Sequence, residues 1–142
     1  MRILAVDPGS SRIGLALSDE DGRIALPLRT VHRSGLDQAV RDVVEEATAA
    51  GVERIIVGLP LSMDGTEGSA ARRARAFAAH IEALARVPVV MWDERLTTVA
   101  AERSLDEAGV RGPRRRAIID QAAAMILLQS YLDAMPRASA ED

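Results

Sequence analysis

The stretch ILAVDPGSSRIGLALSD, residues 3–19, limits the possible folds more than any other part of the chain. Two short apolar runs flank a Pro-Gly-Ser turn, a pattern of consecutive strands tightly joined. The first run delivers an aspartate, Asp7, into that turn. A carboxylate that ends a buried strand loses hydration, which is costly unless it is paired, hydrogen-bonded or metal-bound. A fold for this chain has to give Asp7 a reason to be there.

The meander continues. DEDGR supplies a hairpin turn around Asp21-Gly22, and RIALPLRTVH reads as a third strand, in which Pro27 predicts an edge position or a bulge. The apolar period then changes. Leu36, Val40, Val43, Val44 and Ala47 recur at helical spacing, with Ser34 and Asp37 as a capping-box-like start and Gly51 as a stop. RIIVG is a short buried strand reached through a helix, and therefore expected to run parallel to the first. The loop LPLSMDGTEG leads to a helix over about residues 67–85, and VPVVMW at 87–92 is a further strand ending in DER. TTVAAERSLDEAG reads as a helix capped by Thr97 or Thr98, GVRGPRRR as a loop, and RAIIDQAAAMILLQSYLDAM as the last helix. The expectation is an α/β protein: a mixed sheet with helices packed on it, in one domain over 1–135, followed by a frayed polar tail at 136–142.

Composition removes several chemistries. Cysteine is absent, which excludes disulfides and thiolate-bound zinc, and His32 and His80 are isolated. No apolar run approaches the roughly 20 residues that span a bilayer, and no signal-peptide pattern opens the chain, so a cytoplasmic protein without a membrane partner is expected. The net charge of −3 argues against a non-specific nucleic-acid coat. Yet every basic residue is arginine, clustered at Arg72, Arg73 and Arg75 and in RGPRRR at 111–116. Arginine's planar fork suits phosphate.

Ligands of open α/β sheets gather at the carboxyl ends of parallel strands. Asp7 follows the first strand, Gly58-Leu59-Pro60 the fourth and Asp93-Glu94 the fifth. If these strands are parallel, all three junctions meet at one edge. Asp120 adds a carboxylate from the last helix, on the face it shares with Ala124, Leu127 and Tyr131. Each acid also has a plainer reading: amides of its own turn for Asp7, an ion pair with Arg95 for Glu94, one with Arg116 for Asp120. Taken together, three converging carboxylates without histidine or cysteine form an oxygen-rich site suited to Mg²⁺ or Mn²⁺. Two such ions roughly 4 Å apart promote phosphodiester cleavage. Ser11 and Arg12 would offer donors to a phosphate, with Arg72, Arg75 and Arg95 as further backbone contacts, while Asp64-Gly65-Thr66 forms a turn beside the site.

AVDPGSSRIGLALSD, VGLPLSMDGTEG, DERLTT and IIDQAAAMILLQSYLD, in this order and spacing, resemble the YqgF family, also called RuvX, over about residues 2–134. The resemblance implies a ribonuclease-H-like fold with a five-stranded mixed sheet whose first three strands are antiparallel. It also implies a metal-dependent nuclease that matures the 5′ end of pre-16S rRNA in a pre-ribosomal particle. The family's acidic trio falls on Asp7, Glu94 and Asp120, with Glu94 preferred to Asp93 on reach and motif position. The related RuvC junction resolvases carry a glutamate after the fourth strand, where this chain has Gly58-Leu59-Pro60, so RNA is the expected substrate ahead of a four-way or single-stranded DNA. A Holliday junction resolvase and a non-catalytic RNA- or protein-binding module are the alternatives, and either a monomer or a homodimer fits. An actin-like ATPase or sugar kinase, which shares the D-x-G turn, needs two such domains around its nucleotide.

Overall fold

The computed structural model describes residues 1–9, 11–95, 106–109 and 111–135, and of 114–121 the backbone alone. The helix expected after Thr97 or Thr98 and the tail at 136–142 lie outside the described residues.

Five strands form one sheet: β1 (Ile3–Pro8), β2 (Arg12–Ser18), β3 (Ala25–His32), β4 (Arg54–Leu59) and β5 (Val89–Asp93). Their spatial order is β3-β2-β1-β4-β5. The first three are antiparallel, while β4 runs parallel to β1 and β5 parallel to β4. The mixed sheet expected from the sequence is borne out. Pro27 does what its missing N–H predicts, for β3 is an edge strand. The register passes from Leu15↔Arg29 to Ala16↔Pro27 and skips Leu28, a bulge.

Among the described residues three helices pack on this sheet: α1 (Leu36–Ala50), α2 (Ser69–Ala85) and α3 (Gly112–Ala134). Helix α1 ends at Gly51, whose φ of 65° is left-handed. Its start differs from the expected capping box. Gly35 is the N-cap without a side-chain bond, and Gln38 Oε1 instead accepts from the Ser34 N–H and Oγ at 3.0 and 2.9 Å. The GPRRR segment read as a loop is the first turn of α3. Proline's fixed φ and missing N–H suit a helix start, where that N–H would have no partner.

Strand alternation divides the core in two. Leu4, Val6, Ile13, Leu15, Ile55 and Val57 face α1 and α2 and meet Val43, Phe77 and Ile81. Ile3, Ala5, Ala16 and Ile56 face α3 and meet Ala124, Leu127, Leu128 and Tyr131. Arg54 Nη1, at the start of β4, donates to Tyr131 Oη at 2.6 Å, whereas Leu127 lies over Gly58 near the strand's end. Helix α3 therefore runs against the parallel strands. Its amino-terminal half, which carries residue 120 about 10 Å of helix beyond Leu127, extends toward the strands' carboxyl ends.

Candidate active site

Asp7 alternates in phase with Ile3 and Ala5, which puts it on the α3 face of β1. Its cross-strand partner on β2 is Gly14. On the other side the parallel register, Val6↔Val57, continues to Gly58. The central carboxylate is thus flanked by two residues without side chains.

Glu94 arrives from two strands away. It follows β5 directly, its N–H donates to the Leu59 carbonyl at 3.2 Å, and it shares the phase of Val90 and Trp92, both packed in the α3-side core. With β4 between them, β1 and β5 lie roughly 10 Å apart. Glu94 spans that gap and hydrogen-bonds to Asp7. It crosses directly above Gly58. A Cβ at position 58 would stand 2.1 Å from Glu94 Oε2 and 3.0 Å from its carboxyl carbon. Gly58 is the clearance that lets the two acids meet.

The encounter is electrostatically unfavourable for two anions. Burial pushes the Glu94 carboxyl up to about 9, with the Asp7 charge, the Asp7 hydrogen bond and the Asp93 charge adding to the shift. The raised Glu94 carboxyl favours a single proton shared across the pair. The donors that Asp7 and Glu94 offer are carboxylate oxygens, a set that favours a hard divalent ion. Among the described residues no group of three potential ligands is assembled, and the side chain of Asp120, the third expected carboxylate, lies outside that description.

Asp93 is out of phase with Glu94, and its chemistry differs. It is exposed and accepts from the Arg95 N–H at 3.0 Å and Nε at 2.8 Å, which hold its carboxyl below the usual range. The surface ion pair considered for Glu94 therefore belongs to its neighbour. Arg95 also donates to the Met63 carbonyl at 3.3 Å. Asp64 Oδ1 accepts from the Thr66 N–H and Oγ1 at 3.0 and 2.7 Å, fixing a turn in which Gly65 has φ 87°.

The other expected contacts are spread around the rim. Arg75 makes a two-pronged pair with Glu67, both distances 2.7 Å, and Arg72 is exposed on the same helix. Ser11 is exposed, its carbonyl accepting the Arg33 N–H at 2.9 Å, and Arg12 is half-buried at the start of β2. Of two residues near the site, Arg33 carries no signal of a role in the sequence, and Gly58 is marked only by its place at the end of the fourth strand. The clearance at Gly58 could have been found only by aligning strand registers.

Comparison with known proteins narrows the reading. A Kineococcus radiotolerans protein named "Putative pre-16S rRNA nuclease" is 51% identical over 133 residues, 92% of this chain and 71% of that protein. A Chloroflexus aurantiacus protein of the same name is 46% identical over 132 residues, 93% of this chain and 86% of the relative. Thermus thermophilus RuvC, solved in complex with a Holliday junction substrate, shares the fold with a TM-score of 0.60 at 18% identity, covering 94% of this chain and 97% of RuvC. The profile of the RuvX family, described as Holliday junction resolvase, matches residues 1–134. With nearly every residue of the fold inside that match, the chain belongs to the RuvX family.

Proposed function

We propose that this chain is a cytoplasmic, divalent-metal-dependent nuclease that hydrolyses phosphodiester bonds in RNA and matures the 5′ end of pre-16S rRNA. The observation that carries the reading is the reach of Glu94 over Gly58 to Asp7 at the carboxyl ends of parallel strands. The names of the relatives supply the substrate, and the junction-bound RuvC supports nucleic acid as the ligand class.

Asp7, Glu94 and Asp120 would hold Mg²⁺ or Mn²⁺, which when bound supplies a Lewis acid that activates water and steadies the leaving oxygen. Asp7 provides the fixed ligand, because the central strand of the sheet carries it. Glu94, reaching from an edge strand, would be the adjustable one. Leu127 and its buried neighbours on α3 close one side of the site to water. Ser11, Arg12, Arg72, Arg75 and Arg95 are assigned to phosphates of the bound strand, contacts that position rather than read sequence.

The deciding experiment incubates the protein with single-stranded RNA, single-stranded DNA and a four-way DNA junction, with Mn²⁺ or Mg²⁺, beside Asp7→Asn. RNA cleavage that needs the metal and falls on the order of 10³-fold in the variant is the expected result. Preferential junction cutting would make the chain a resolvase. Failure to cut any substrate would leave a binding module.

A further inference from the structure

A second feature lies at the same end of the sheet but on the α1/α2 face. A cleft of about 220 Å³ is lined by Pro8, Gly9, Arg33, Pro60, Ala70 and Arg73. Pro8 and Gly9 follow Asp7 directly, so the cleft begins where the carboxylate site ends.

Its two cations differ in mobility. Arg33 is held: Nη1 donates to the Gly9 carbonyl at 3.3 Å, and the guanidinium lies 5.2 Å from the centroid of the Phe77 ring. Most of its five donors remain for a ligand. Arg73 is exposed, just past the first turn of a helix whose N-cap, Gly68, makes no side-chain bond, so the positive end of α2 adds to the same field. Among the described residues, neither arginine forms an ion pair with a carboxylate, in contrast to Arg75 and Arg95. The space is below the ~300 Å³ at which pockets for whole small molecules begin, and it suits a phosphodiester group rather than a nucleotide cofactor.

We propose that this cleft is a phosphate subsite, in which Arg33 and Arg73 grip a backbone phosphate neighbouring the one presented to Asp7 and Glu94. The strand would then cross the rim of the sheet from the α3 face to the α2 face. The identity of the strand rests on the nuclease reading, but the binding chemistry does not.

The test measures binding alone. Full-length Asp7→Asn protein, with chelator, is titrated with fluorescent single-stranded RNA across a range of KCl concentrations, then compared with the same protein carrying Arg73→Gln, Arg73→Lys or Arg33→Gln. Arg73→Gln is expected to weaken binding several-fold and to reduce the slope of log K against log salt by about one. Arg73→Lys should keep the slope. Because Arg33 also braces Gly9, the test turns on Arg73, which is exposed and whose replacement is expected to leave the melting temperature unchanged. Unaltered affinity and slope in Arg73→Gln would overturn the subsite. Binding of inorganic phosphate by calorimetry without any RNA binding would overturn it too, leaving a site for free anions. A slope change in a protein that never cleaves RNA would sink the nuclease reading and keep the subsite.

Discussion

The two faces of the sheet are built for different purposes. The α1/α2 face presents Leu4, Val6, Ile13, Leu15, Ile55 and Val57 to Phe77 and Ile81, large side chains that fill the layer. The α3 face presents Ala5 and Ala16 to Ala124, and beyond them Gly14 and Gly58 beside Asp7. Small residues there bring the helix close and leave room for carboxyl groups. Both faces pack a core, but only the α3 face brings two carboxyl groups together, at the carboxyl end of the strands. A single alternation along each strand separates them, so mutations one residue apart should have unlike consequences.

Ile81→Ala tests the packed face. It empties a fully buried position and is expected to cost about 2–5 kcal/mol in denaturant unfolding, while the protein that remains folded keeps its cleavage rate. If cleavage per folded molecule also collapsed, the division of labour would be wrong. Gly58→Ala tests the open face. Its Cβ displaces the Glu94 carboxyl, and cleavage should fall about 100-fold, roughly 2.7 kcal/mol, with only a small change in melting temperature. Full activity in this variant would show that Glu94 does not need to cross β4.

The third effect depends on pH. In chelator, Glu94 stays protonated in the fold up to about 9 but ionises near its ordinary 4.5 when unfolded. Between those values the folded state binds more protons, so its stability falls as pH rises. The contribution is full below about 4.5 and gone above about 9. Melting temperatures at pH 5, 7 and 9 should therefore decline, and Glu94→Gln should flatten the decline. An equally steep decline in that variant would assign the effect to other groups.

Much of this is legible in the residues. The ILAVD and IGLALS runs, the Asp-Gly turn and Pro27 encode the meander because each acts through its immediate neighbours. The sequence prefers Glu94 to Asp93 on reach and motif position, and β5 keeps its two-residue alternation up to Asp93. What escapes depends on distance across space. The clearance at Gly58 exists only once β5 is docked on β4. The Arg75–Glu67 pair joins residues eight apart through a loop and a helix start, and no local pattern announces it. Ser34 looks like a cap, but Gln38, one turn further on, reaches back to its N–H and hydroxyl. Arg33 becomes notable only when Gly9 and Phe77 converge on it from β1 and α2.

The site joins strands of unequal permanence. Asp7 rides on the central strand, whose first four residues are fully buried, whereas Glu94 hangs from an edge strand in which no residue is. Edges of a sheet open on their own more readily than centres. Fraying of β5 would part the two acids while most of the core stays closed. Heat inactivation should accordingly begin below the melting of the sheet, in step with amide exchange at Val90–Trp92, and the enzyme would be silenced before it is unfolded.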